Sequence, residues 1–70
     1  MNIRYIKNYL STKIGCKIVV IYYGSRNRKV KYIGYLDRLY ANIFVVKLIN
    51  GEIKSFMYND IITKTVRICI

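Results

Sequence analysis

Histidine and proline are absent from this chain, and acidic residues are nearly so: three against thirteen lysines and arginines in 70 residues. Each shortage excludes something. Catalysis needs a positioned acid, base or nucleophile, and without histidine the candidates shrink to Asp37, Glu52 and Asp60, which no spacing brings together as a pair. Zinc needs about four ligands, more than the two thiols of Cys16 and Cys69 supply. Gly24-Ser25-Arg26 opens no helix, so it is not a phosphate-cradling loop. No catalytic residue, cofactor or metal is therefore expected, and the chain reads as a non-enzyme. The lack of proline removes any sign of a linker, kink or rigid spacer, and no repeat or low-complexity segment appears. Long apolar runs are missing as well. Arg4, Lys7 and Lys13 interrupt the N-terminus before a signal peptide or membrane span could form, so a cytoplasmic protein is expected.

What is present is apolar, aromatic and basic. Apolar residues make up 54% and aromatics 14% of the chain, which separates it from disordered sequences. At this length one domain over residues 1–70 is expected, burying roughly 60% of the surface of the unfolded chain. The net charge of +10 makes a field that draws polyanions, whether nucleic acid, anionic lipid or an acidic protein face. Lysines that only keep a Tyr- and Ile-rich body soluble would give the same count.

Ile3, Ile6, Tyr9 and Leu10 recur at spacings of three and four, predicting an amphipathic helix over about 2–12 with Asn2 as N-cap and Gly15 beyond its end. Alternating β-branched and aromatic runs then predict strands over 16–23, 28–39, 43–48, 53–58 and 62–70. Gly24-Ser25-Arg26-Asn27 supplies the first turn, Asn50-Gly51 a two-residue hairpin and Asn59-Asp60-Ile61 a 3₁₀-type turn, with Asp60 accepting backbone N–H bonds. On the second strand Val30, Tyr32, Gly34 and Leu36 share the inner face, and glycine at an inward position marks a bend. Five short strands are best relieved of their edges by closure. The fold expected is all-β with a small α+β character: a five-stranded SH3-like barrel preceded by a short N-terminal helix. First-to-last strand pairing would bring Cys16 and Cys69 near one end but on opposite faces, so both are expected as free thiols.

The order Ile3-x-x-Ile6-Lys7-x-x-Leu10, Gly15-x-Lys17, Gly24-Ser25-Arg26-Asn27-Arg28, Gly34-x-Leu36, Tyr40-x-x-Ile43-Phe44-Val45-Val46 and Ser55-Phe56-x-Tyr58-x-Asp60-Ile61-Ile62-Thr63-x-Thr65-Val66 resembles the Veg family of small bacterial proteins over nearly the whole chain. The resemblance implies an SH3-like barrel behind a helix and a cytoplasmic accessory role linked to transcriptional regulation and biofilm formation, with no catalytic activity. Two departures stand out. The family's Gly-Gly-Arg-Arg-Lys turn is Gly24-Ser25-Arg26-Asn27-Arg28 here, one glycine and one cation fewer, and Ala41 stands where members often carry proline. Val19 and Ile21 occupy positions where outward polar residues would be expected.

Alternation places Lys17, Tyr23, Lys29, Lys31 and Tyr35 outward on the first two strands, with Arg26 and Arg28 at the turn, so one edge of the barrel is expected to present cations beside flat rings. That mixture suits a protein partner, where Tyr and Arg are common hot spots, and equally nucleic acid, where cations meet phosphates and rings stack on bases. A regulatory protein is the first reading and low-specificity RNA or DNA the alternative. Membrane attachment through the helix is the weakest, since its few apolar residues are needed by the barrel. A homodimer through an edge carrying Val19 and Ile21 is left open.

Overall fold

A computed structural model of the chain describes residues 2–24 and 28–70. Helix α1 spans Ile3–Ser11, and Asn2 caps it as expected: its backbone is extended, and its Oδ1 accepts the Tyr5 N–H at 2.8 Å. Ile6 and Leu10 are buried and Ile3 packs beside them. Tyr9 does not join them, remaining 47% exposed. At about 100° per residue Ile3, Leu10 and Ile6 fall within an arc of about 60°, and Tyr9 lies about 60° beyond Ile6, at the margin of the docked stripe. Past the helix, Gly15 takes a φ of +87° and donates to the Leu36 carbonyl at 2.8 Å, while Leu36 donates to Cys16 at 3.0 Å. The helix exit is thereby fixed to the sheet.

The sheet is built from β1 (Lys17–Tyr23), β2 (Lys29–Leu39), β3 (Ile43–Leu48), β4 (Ile53–Met57) and β5 (Val66–Cys69), antiparallel in the order β4-β3-β2-β1-β5. First and last strands pair, as expected. Closure is not seen: β4 and β5 are the two edges, with no ladder between them among the described residues. The chain crosses that seam as helix α2, Tyr58–Ile62, and Tyr58, Ile61 and Ile62 bring apolar bulk to the core there. Helix α2 also corrects the 3₁₀ turn expected at 59–61 and shortens the fifth strand from 62–70. Asp60 sits in the first turn of α2 beyond the cap residue, Met57, which makes no side-chain cap bond.

Two turns show how local chemistry is overridden. Asn50-Gly51 does not form a two-residue hairpin. Leu48 N–H donates to Glu52 at 2.7 Å and Gly51 N–H to Leu48 at 2.9 Å, enclosing residues 49–51. Only Gly51 takes a positive φ, +93°, whereas a two-residue turn of the Asn-Gly kind needs it at both central positions. Asn50 contributes through its side chain instead, accepting the Glu52 N–H at 2.9 Å. At Gly34, buried as expected, a β-carbon would collide with the Lys47 carbonyl oxygen and stand 2.7 Å from Leu48 Cα. β2 and β3 touch there, and β2 bends on through a register shift between Leu36 and Arg38.

The core gathers Ile6, Leu10, Ile18, Val20, Leu36, Phe44, Val46, Leu48, Phe56, Tyr58 and Val66. The Phe44 ring stands 5.6 Å from Phe56 and 5.8 Å from Tyr58. Tyr58 is wholly buried, and its hydroxyl donates to the Tyr40 carbonyl at 2.8 Å. Burial raises its pKa above the ordinary phenol value, with the Tyr40 bond pulling the other way.

Candidate interaction surface on the first hairpin

The β1 and β2 ladder is in register from Lys17 opposite Tyr35 to Tyr23 opposite Lys29. Since side chains alternate, Lys17, Val19, Ile21 and Tyr23 share the solvent face with Tyr35, Ile33, Lys31 and Lys29. This places five residues predicted from the sequence, Lys17, Tyr23, Lys29, Lys31 and Tyr35, on one surface about 20 Å long. Arg28 is exposed at its hairpin end, and Arg26 lies outside the described residues. The surface is a face rather than an edge, because β1 and β2 are interior strands. For the same reason Val19 and Ile21 cannot pair through backbone bonds with a second copy.

Cations and rings sit at the two ends. Lys29 Nζ lies 5.9 Å from the centre of the Tyr23 ring, and Lys17 stands directly opposite Tyr35. Between them Val19, Ile21 and Ile33 are half-buried, with Lys31 opposite Ile21, while the half-buried Val45 of β3 lies beyond the Tyr35 end, opposite Arg38. Further cations missed in the sequence surround it. Lys47 pairs with Tyr35, Arg38 with Val45 and Arg67 with Ile21. Their outward placement follows from alternation, but their closeness depends on pairings between distant segments. Asp37, at the register shift, is the one carboxylate in the five strands. The surface is therefore positive at its rim and aliphatic at its middle. Cys16 and Cys69 are free thiols, as expected, and both are exposed.

On the inner side of the sheet, Tyr22 and Val30 pair beyond the core and are 39% and 42% exposed. Lys54 Nζ lies 5.7 Å from the Tyr32 ring, over a shallow hollow of about 240 Å³. Among the described residues no helix is long and apolar enough to cross a membrane.

An antiparallel sheet with two short helices, carrying a basic outer face with an aliphatic centre, defines a small basic domain of mostly β structure. The chain belongs to the family described as biofilm formation stimulator VEG, whose model matches residues 1–69. Comparison with curated proteins returns no match.

Proposed function

We propose that this protein is a non-catalytic, cytoplasmic accessory regulator of biofilm formation that acts by binding a protein partner linked to transcriptional regulation. Its sheet is read as an SH3-like barrel opened along the seam between β4 and β5, a binding scaffold rather than a reaction vessel. The partner meets the outer face of β1 and β2, with Lys17, Tyr23, Arg28, Lys29, Lys31 and Tyr35 around Val19, Ile21 and Ile33, and Arg26 at the turn.

The observation that carries this reading is the aliphatic centre. Protein interfaces join an apolar middle to a polar rim rich in Tyr and Arg. A nucleic-acid face needs cations and stacking rings, and gains little from half-buried valine and isoleucine between them. The net charge of +10 favours the second reading, direct low-specificity RNA or DNA binding. Lys29→Glu/Lys31→Glu tests the face, and nucleic-acid binding at physiological salt separates the two readings. In cells lacking the native gene, the folded variant is expected to lose biofilm stimulation and capture of the partner, while the wild-type protein binds neither single strands nor duplex at about 150 mM salt. Full activity of the variant would remove this face from the account. Nucleic-acid binding that survives that salt would put the second reading first.

A further inference from the structure

Of the sheet's two edges, β5 is closed by the core at the buried Val66, whereas β4 is open. Leu48 N–H donates to Glu52 at one end of the β3 and β4 ladder and Tyr58 N–H to Asn42 at the other, so alternation makes Val46 with Lys54 and Phe44 with Phe56 the bonded pairs between them. The N–H groups of Ile53, Ser55 and Met57 and the carbonyls of Ile53 and Ser55 therefore point away from β3, and none has a backbone partner there among the described residues. Met57, the cap residue of α2, gives its carbonyl to the helix. All three residues are exposed, Ile53 by 65% and Met57 by 48%. The usual guards of an edge are missing. β4 has no proline and no bulge, and its one charge, Lys54, lies on the inner face beside the Tyr32 ring.

The chemistry of this edge fits the edge itself. Joined antiparallel strands must share faces, so two copies related by a two-fold axis can pair only in registers that set Ile53, Ser55 and Met57 against one another. Centred on Lys54, the pairing would oppose two lysines. Centred on Phe56, it would run Ile53 into helix α2. Centred on Ser55, it sets Ile53 against the partner's Met57, and the stem of Lys54 against the partner's Phe56. Two main-chain bonds then form twice each, from Ser55 N–H to the partner's Ser55 carbonyl and from Met57 N–H to the partner's Ile53 carbonyl. Charge agrees. Residues 49–62 hold two carboxylates, Glu52 and Asp60, and one lysine, whereas the rest of the chain holds twelve cations and one carboxylate. Two copies meet where each is least positive, and an acidic strand is drawn elsewhere on the molecule.

We propose that the chain forms a two-fold dimer through β4, joining two five-stranded sheets into one of ten. By alternation, the two outer faces lie on one side of the joined sheet. The dimer does not depend on the protein-binding reading above. One five-residue strand from each copy makes a contact short of the roughly 1,200 to 2,000 Å² of stable interfaces, so the dimer is weak and dissociates on dilution.

Sedimentation equilibrium of the full chain from about 10 µM to 1 mM is expected to show the mass rising from 8.3 kDa toward twice that value. The rise is expected to be steeper at about 0.5 M than at about 0.15 M sodium chloride, because salt screens the repulsion between two copies of charge +10. In the ¹⁵N-labelled chain the Ile53, Ser55 and Met57 amides are expected to gain exchange protection as concentration rises. Ser55→Pro removes an N–H that β3 does not use, so it is expected to keep the fold and weaken the dimer at least about tenfold. Ile53→Lys/Met57→Lys is expected to stay monomeric, and Ile53→Lys/Met57→Glu, which sets lysine against the partner's glutamate, to recover the dimer. Lys29→Glu/Lys31→Glu is expected to dimerise at least as tightly as the wild type, so the edge can fail while the outer face stands, and the reverse. A constant 8.3 kDa up to about 1 mM would leave the edge to a strand of another protein and overturn the proposal. So would wild-type association of Ser55→Pro or of Ile53→Lys/Met57→Lys, no recovery in Ile53→Lys/Met57→Glu, protection gained away from β4, or association that weakens with salt.

Discussion

Tyr58 shows what one residue can do in a core this small. Its ring closes the stack with Phe44, and its hydroxyl is held inside by the Tyr40 carbonyl, so a polar group is buried without being left unpaired. Tyr58→Phe keeps the ring and removes the donor, and is expected to lower stability by about 1 kcal/mol, read from urea unfolding at pH 7. The same group gives a pH signature. Its folded pKa lies above the ordinary value of 10.0, so below that pH both states hold the proton and its contribution is complete. Above it the unfolded chain releases the proton while the folded one retains it, and stability falls as pH rises toward the folded value. The difference in urea midpoint between wild type and Tyr58→Phe is therefore expected to shrink from about pH 10 upward. A constant difference through that range would contradict the buried phenol.

At the scale of elements, what the sequence discloses depends on how local the cause is. The Asn2 cap, the bounds of β3 and the inward glycine at 34 are readable because each rests on neighbours within a few residues. The outer face of β1 and β2 is readable for the same reason, since a period of two puts Lys17, Tyr23, Lys29, Lys31 and Tyr35 on one side whatever the strands later meet. The open seam is not, because closure depends on how far α2 holds Met57 from Val66. Arg67 beside Ile21 depends on β5 docking across the fold, which no short-range pattern encodes. Asn50-Gly51 is the instructive miss: the pairing of Leu48 with Glu52 encloses one residue more than its usual turn, and only the glycine is driven left-handed. Gly34 is the joint of the sheet. Because the atoms facing it are backbone, they cannot swing aside, and Gly34→Ala is expected to cost about 3 kcal/mol or more. Thermal unfolding together with loss of exchange protection at Lys47 and Leu48 would show it. An alanine variant of wild-type stability would mean that β2 and β3 stand further apart than described.

The whole molecule measures 33 × 30 × 18 Å and carries a net charge of +10. At about 0.01 M ionic strength the Debye length is about 30 Å, so nearly every cation repels every other across the fold. At about 0.15 M it falls to about 8 Å, and only near neighbours on the outer face, such as Lys29 and Lys31, still interact strongly. Unfolding separates the charges, so the native state bears most of the repulsion at low salt. Among the described residues no charged side chain is buried, so screening has no internal ion pair to weaken there in return. Raising sodium chloride from about 0.01 to 0.15 M is therefore expected to raise the Tm by several degrees, with most of the gain below about 0.1 M. A Tm that falls with salt would mean that attractive pairs outweigh this repulsion. The same screening should weaken whatever the rim cations contribute to a contact on the outer face, while the share that comes from burying its aliphatic middle should persist.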